Sequence, residues 1–333
     1  MPARVVSQQR RFWRVAGAFG ICLAEAGGKL RLAAEEGAAW PAVGDWVSVE
    51  LQGAGTAAVI RAVLTRRNRF IRKWPGKMIV EQVIAANVDT ALVISALDGD
   101  FNPRRVERYL AQCWDSAVKP VLILNKADAC EKTREKAAEM ERVVLGTPVF
   151  VVSAKTGQGI EAFKSLLIPG QTTVMLGSSG VGKSTLTNRL LGESLQKVND
   201  VLANNSRGQH TTTARKLFAL PGGALLIDTP GLRELQLWDA EEGLAQAFAD
   251  INLLAAQCRF NDCRHETEPG CAVQAAVQAG ILDLARLDNH RKLLREQEFL
   301  RRKMDPEVRS QEKQRIKRLT REARAIFRLR KPD

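Results

Sequence analysis

Residues Gly177-Ser178-Ser179-Gly180-Val181-Gly182-Lys183-Ser184 follow the apolar run Thr172–Leu176 and lead into the helical pattern Ser184–Leu191. A strand, a glycine-rich turn ending in Lys-Ser and then a helix are the setting that the pattern G-x-x-x-x-G-K-[ST] requires. The glycines let the backbone wrap an anion with successive N–H groups pointing inward. The helix behind them turns its positive end to the same anion. In that arrangement Lys183 reaches the β- and γ-phosphates of a nucleotide and the Ser184 hydroxyl ligates Mg²⁺, with Thr185 next in the loop. The whole stretch therefore reads as a phosphate-binding loop.

Moving outward, apolar strand-like runs alternate with helical patterns across residues 77–236. The runs Thr90–Ile94, Pro120–Leu124, Pro148–Val152, Thr172–Leu176 and Ala224–Ile227 predict a mostly parallel sheet with helices on both faces. Ligands of such a sheet bind at the carboxyl ends of its strands. Three more motifs stand there. Asn125-Lys126-Ala127-Asp128 follows one run, and its last carboxylate suits the N1–H and 2-amino donors of guanine; adenine offers neither, so a buried Asp128 would reject it. Ser153-Ala154-Lys155 is placed to give a backbone N–H to guanine O6, and Asp228-Thr229-Pro230-Gly231 to give an acid to Mg²⁺ and the Gly231 N–H to the γ-phosphate.

Their order is N-K-A-D, S-A-K, phosphate loop, switch threonines, D-T-P-G, whereas Ras-like GTPases begin with the phosphate loop. The fold expected is α/β, a circularly permuted P-loop GTPase domain. Permutation is cheap where a domain's termini lie close together. Leu232 stands where Ras-like enzymes carry a water-orienting glutamine, so slow unaided hydrolysis is expected. The segment Arg207-Gly208-Gln209-His210-Thr211-Thr212-Thr213 occupies the place of the first switch. His210, Lys183 and Thr212 are the candidate catalytic residues, although the sequence does not choose which of the three threonines meets Mg²⁺. His210 reads equally as a water-positioning group or a loop histidine.

The flanks differ in character. Residues 1–75 show short runs, Phe12–Val15, Ile21–Glu25, Lys29–Ala33, Trp46–Leu51 and Ala57–Leu64, separated by turn signals. They predict five strands in a small barrel, of the oligonucleotide-binding or the SH3-like type. Arg66-Arg67-Asn68-Arg69-Phe70-Ile71-Arg72-Lys73-Trp74 interleaves cations and aromatics, which suits nucleic acid or an amphipathic strand with wet charges. Residues 238–303 read as helical around Cys258-x₄-Cys263-x-His265-x₅-Cys271. Three thiolates and one imidazole complete a tetrahedral set, so a closed, structural zinc site is expected. Cys22, Cys113 and Cys130 lie in unrelated contexts and read as ordinary thiols. The remaining 304–333 is a basic helical tail, with Ile316, Leu319, Ala323, Ile326 and Phe327 at helical spacing.

Composition bounds these readings. The 333 residues are 45% hydrophobic and 26% charged, values of a globular chain with room for more than one core. No apolar run is long enough to span a bilayer, and no secretory signal is visible. The net charge of +13 divides into +7 over residues 1–76, −2 over 77–300 and +8 over 301–333. Two basic ends around a neutral middle suggest a polyanion partner or a solubilising surface.

The permuted motifs, the basic barrel, Gly208-Gln209-His210-Thr211-Thr212-Thr213, the Cys/His loop and Asn102-Pro103-Arg104-Arg105-Val106-Glu107-Arg108-Tyr109-Leu110 together resemble the YjeQ family of small ribosomal subunit biogenesis GTPases. The resemblance covers nearly the whole chain. It implies an OB-fold barrel, a permuted GTPase domain and a zinc-bearing helical domain. It implies a cytoplasmic monomer acting late in maturation of the 30S subunit, in contact with 16S rRNA, with GTP hydrolysis stimulated by the subunit and leading to release. It also makes His210 the family's hydrolysis histidine, and leaves the tail without a role. The alternative reading is a nucleotide-gated membrane-surface or scaffold protein whose tail forms a basic amphipathic helix.

Overall fold

Alternating inward side chains build the N-terminal unit. Strands β1 (Pro2–Gln9), β2 (Phe12–Gly17), β3 (Gly20–Ala26), β4 (Trp46–Gln52) and β5 (Ala57–Val63) turn Val5, Trp13, Val15, Ala24, Val47 and Ile60 into one core. They pair in the order β1-β2-β3-β5-β4, and β4 returns to β1 to close the barrel. Helix α1 (Gly28–Glu35) lies between β3 and β4. This is the oligonucleotide-binding arrangement, which decides against the SH3-like alternative. The computed structural model describes residues 1–9, 11–35, 40–73, 81–192, 215–228 and 240–304.

One of the five expected barrel strands needs correction. Lys29–Ala33 is helical: the Arg31 N–H donates to the Gly27 carbonyl at 2.9 Å. Lys, Leu, Arg and Ala are all strong helix formers, and the Leu-Arg-Leu alternation imitates a strand over too short a window. The fifth strand is instead Pro2–Gln9, whose polar Ser7-Gln8-Gln9 end hides it. The Arg66–Trp74 segment is also different from a base-stacking surface. Arg66 pairs with buried Asp45 at 2.7 Å and Arg67 with Asp89 at 2.9 Å. Phe70, on β6 (Arg69–Lys73), is 1% exposed and packs in the core of the next unit. β6 pairs with β7 (Glu81–Ala86) as a separate ribbon. Trp74 lies outside the described residues.

The second unit is the expected parallel sheet. Strands β8 (Thr90–Ala96), β9 (Lys119–Asn125), β10 (Val149–Val151), β11 (Thr172–Leu176), β12 (Arg215–Ala219) and β13 (Leu225–Asp228) lie in the order β10-β9-β8-β11-β13-β12. Only β12 runs antiparallel among these. Helices α2 (Pro103–Asp115), α3 (Thr133–Val143), α4 (Ile160–Lys164) and α5 (Lys183–Leu191) cover its faces. Val93, Leu122 and Leu176 pack on one side with Val106, Leu110 and Met140. Leu92, Ile123 and Met175 pack on the other with Ile160, Phe163 and Leu186. Burial on both faces explains the unbroken apolar runs.

The two units share a sheet. One edge of β1 is divided: Pro2–Arg4 face β4, while Ser7 and Gln8 pair with Lys216 and Arg215 of β12. The result is eleven continuous strands. Arg4 adds a brace, donating to the Gly44 carbonyl at 2.8 Å and to Thr172 Oγ1 at 2.9 Å.

Beyond the sheet lie α6 (Glu241–Ala247), α7 (Ala249–Ala255), α8 (Ala272–Gln278) and α9 (Leu284–Met304). Leu244, Phe248, Ile251, Val273 and Leu287 form their core together with Ala111 of α2. Gly243 is where α6 meets α2: a Cβ there would enter the Ala111 carbonyl. No described helix is long and apolar enough to cross a membrane. The tail 306–331 lies outside the described residues.

Candidate nucleotide site and metal centre

The described parts of the sequence motifs stand at the carboxyl ends of β9, β10, β11 and β13. β11 runs into Gly177, whose carbonyl accepts from Lys183 Nζ at 2.7 Å; the Ser178 carbonyl accepts from the same ammonium at 2.5 Å. Lys183 thus already sits inside its own loop. Gly182 has φ +95°, and a Cβ there would collide with Asn125 Nδ2, so the position demands glycine twice over. Ser179, Gly180, Ser184 and Thr185 are exposed along the open mouth. Asp228 ends the neighbouring strand β13; burial pushes its carboxyl up from the usual range, and the charge of Lys183 opposes that shift.

Asn125 is the link between the remaining motifs. It is buried, donates through Nδ2 to the Val181 carbonyl at 2.8 Å, and accepts from the Ala154 N–H at 2.9 Å. Lys126 takes a left-handed backbone, φ +66°, and pairs with Asp98 at 2.6 Å. The Ala127 N–H donates to the Val152 carbonyl at 3.1 Å. Ser153 Oγ donates to Asp128 Oδ1 at 2.5 Å. Arg189 of α5 holds the S-A-K loop from behind, donating to the Lys155 carbonyl at 2.7 Å. Asp128 itself is exposed.

Thr211, Thr212, Thr213, His210, Thr229, Pro230, Gly231 and Leu232 lie outside the described residues. Sequence reasoning missed Asp98, Asp100 and Arg189, and gave Arg105 no place at this site. The first two were within reach of the rule that found the other motifs, because Asp98-Gly99-Asp100 stands just beyond the carboxyl end of β8.

A second cluster sits on the helical unit. The ligand atoms of Cys258, Cys263, His265 and Cys271 all lie within 4.8 Å of one another. Cys258 Sγ is 3.9 Å from Cys271 Sγ, and His265 Nδ1 is 3.6 and 3.5 Å from the two sulfurs. Zinc–sulfur bonds of about 2.3 Å at tetrahedral angles put sulfurs about 3.8 Å apart, so the spacing fits. Burial holds the His265 imidazole below its ordinary range, which favours the neutral ring a metal needs. Its backbone is left-handed, φ +60°, and its carbonyl accepts from Gln274 and Arg291. Glu268 accepts from the N–H groups of Arg264, Glu266 and Thr267; those bonds pull its carboxyl down to about 2 and lock the turn between ligands. This group is able to bind a metal.

The sequence profile described as RsgA GTPase matches residues 63–238. The small ribosomal subunit biogenesis GTPase RsgA of Opitutus terrae is 46% identical, over 99% of this chain and 92% of that protein. The chain belongs to the RsgA GTPase family. Its counterpart of the same name in Syntrophotalea carbinolica is 45% identical over 88% of this chain and 82% of its own length. The crystal structure of YjeQ from Thermotoga maritima superposes with a TM-score of 0.64 at 29% identity, covering 89% of this chain and 97% of that one. A structure described as YloQ, a circularly permuted GTPase, shares the fold, with a TM-score of 0.61 at 24% identity. The RsgA-family chain described here is accordingly a GTPase of permuted order, as its motif sequence predicts.

Proposed function

We propose that this chain hydrolyses GTP as a late-stage assembly factor of the 30S ribosomal subunit, stimulated by that subunit and released from it on hydrolysis. The observation that carries the reading is the Asn125 bridge, which joins the N-K-A-D, S-A-K and phosphate loops into one hydrogen-bonded site. Around it, Asp128 takes the guanine edge, with Ala127, Lys126, Ser153, Ala154 and Lys155 about the base. Gly177–Thr185 cradle the phosphates. Ser184 and Asp228 would hold Mg²⁺, which neutralises charge on the β- and γ-phosphates when bound. Lys183 contributes its ammonium to the same oxygens, while Thr212, His210 and Gly231 complete the switch side. Cys258, Cys263, His265 and Cys271 would hold one structural zinc ion; three soft thiolates and an imidazole suit it.

The relatives' name supports the small ribosomal subunit as partner. The basic barrel fits 16S rRNA, and the protein acts as a cytoplasmic monomer. GTP turnover measured with and without 30S subunits tests the proposal. Slow hydrolysis alone and a large gain with subunits are expected, with Lys183→Ala inactive in both. ATP turned over as fast as GTP, or indifference to subunits, would overturn it.

A further inference from the structure

Helix α2 opens with Asn102-Pro103-Arg104-Arg105-Val106-Glu107-Arg108, a run none of the nucleotide motifs includes. Asn102 caps the helix, its side chain accepting from the Arg105 N–H at 3.1 Å, and Pro103 occupies the first turn. Two sides of this helix are engaged at once. On one, Arg105 Nη1 donates to both oxygens of Asp100 at 2.7 Å and to Ser178 Oγ at 2.9 Å. Ser178 Oγ in turn donates to Asp100 Oδ2 at 2.6 Å. A closed ring of three side chains therefore holds the second residue of the phosphate loop. Both partners pull the Asp100 carboxyl below its usual range, Arg105 most.

The other side of the helix is bolted to α9 and to Asp283 just before it. Arg104 pairs with Asp283, and Arg108 makes two bonds of 2.7 Å to Glu296. Glu107, 1% exposed, accepts from Arg286 at 2.6 Å and from Asn289 at 2.5 Å. With that face anchored, the backbone of Arg105 is held in place relative to the sheet.

We propose that Arg105, together with Asp100, is a positioning residue for the phosphate loop, holding Ser178 so that the loop keeps its anion-binding shape before nucleotide arrives. This rests on the reading of that loop as the GTP site. The physical case is preorganisation. Between Ser178 and the buried Val181, Ser179 and Gly180 are exposed, and Gly180 has φ +82°, so the tip of the loop has little packing of its own. A tether at Ser178 sets the two carbonyls that hold Lys183 and reduces the freedom lost on binding. Arg105 is already neutralised by Asp100, so it supplies position and little field. Its contribution should therefore be the same for GDP and GTP, acting on affinity and not on the chemical step.

Affinity for fluorescent GDP and GTP, with steady-state kcat and KM, tests this on the full chain carrying Arg105→Ala, Ser178→Ala, both together, and Lys183→Ala. Each of the first two should weaken both nucleotides by about three- to tenfold, the loss of one charge-assisted tether at a half-open site. The double variant should be no weaker than the worse single one, and the kcat of Arg105→Ala should stay within about twofold. Asp100→Asn, which keeps the side chain's shape, should reproduce the loss. An unchanged Arg105→Ala affinity overturns the proposal, as does a loss that adds in full to that of Ser178→Ala, because it would mark a general effect of α2 on folding. Sensitivity to Lys183→Ala with indifference to Arg105→Ala sinks the positioning role alone. Wild-type protein with no nucleotide affinity sinks the GTP reading and this one with it.

Discussion

Asn125 and Val181 are joined by a 2.8 Å hydrogen bond from the Asn125 amide to the Val181 carbonyl, although they lie on different loops far apart in the chain. The same side chain accepts from Ala154, so one buried amide organises three motifs. Replacing it with alanine leaves a buried carbonyl and a buried N–H unpaired, at a cost of about 2–4 kcal/mol. Asn125→Ala should lower the unfolding free energy measured in urea by that amount and abolish measurable nucleotide affinity. Unchanged stability would mean the bridge is dispensable.

Asp128, proposed to take the guanine edge, is exposed and accepts from Ser153 Oγ. Asp128→Asn trades an acceptor pair for a donor, which suits the 2-oxo group of xanthine. Hydrolysis of GTP should fall about a hundredfold while xanthosine triphosphate becomes the better substrate. Competition between the two nucleotides reads this directly, and retained guanine preference would remove Asp128 from the base site.

Cys258 to Cys271 form a turn whose described contacts are mostly polar. Cys263→Ser should purify with well under one equivalent of zinc. Chelation of the wild type should lower its melting temperature by on the order of 5–10 °C. Metal analysis beside a thermal melt checks both, and a protein equally stable after complete zinc removal would contradict the structural role.

His290 packs on the Phe248 ring at 4.8 Å, and burial pushes its imidazole down from 6.5 to about 4. Well above pH 6.5 the ring is neutral in both folded and unfolded chains and pH has no effect through it. Below that, the unfolded chain takes up a proton the folded one resists, so stability falls as pH drops from 6.5 to about 4, by up to about 3 kcal/mol. Urea midpoints at pH 7 and pH 5 should differ less in His290→Leu than in the wild type. Equal pH slopes would acquit the histidine.

Much of this was readable before any coordinates. Both-face burial writes β8 and β11 as plain apolar runs, and Gly182 advertises a position where no Cβ fits. Asp98-Gly99-Asp100 was less legible, because its role appears only when Lys126 and Ser178 arrive from distant loops. Leu30 and Leu32 misled through period: eight residues of helix are too few to show 3.6 against 2. Phe70 read equally as a base-stacking aromatic or as part of an amphipathic strand, because such a short segment does not state which side its ring will take. Most opaque was β1, whose Ser7-Gln8-Gln9 end finds its reason in a partner near the other end of the α/β unit.

That pairing has a consequence in time. The barrel's strands are all made by Val63, and β1 can close against β2 and β4 while most of the chain is still unsynthesised. The half-edge at Ser7 and Gln8 must then wait, a short open template, until Lys216 and Arg215 emerge to seal it. Nascent chains stalled before that point would carry a finished barrel with a bare seam, and such a seam is where two copies could exchange strands.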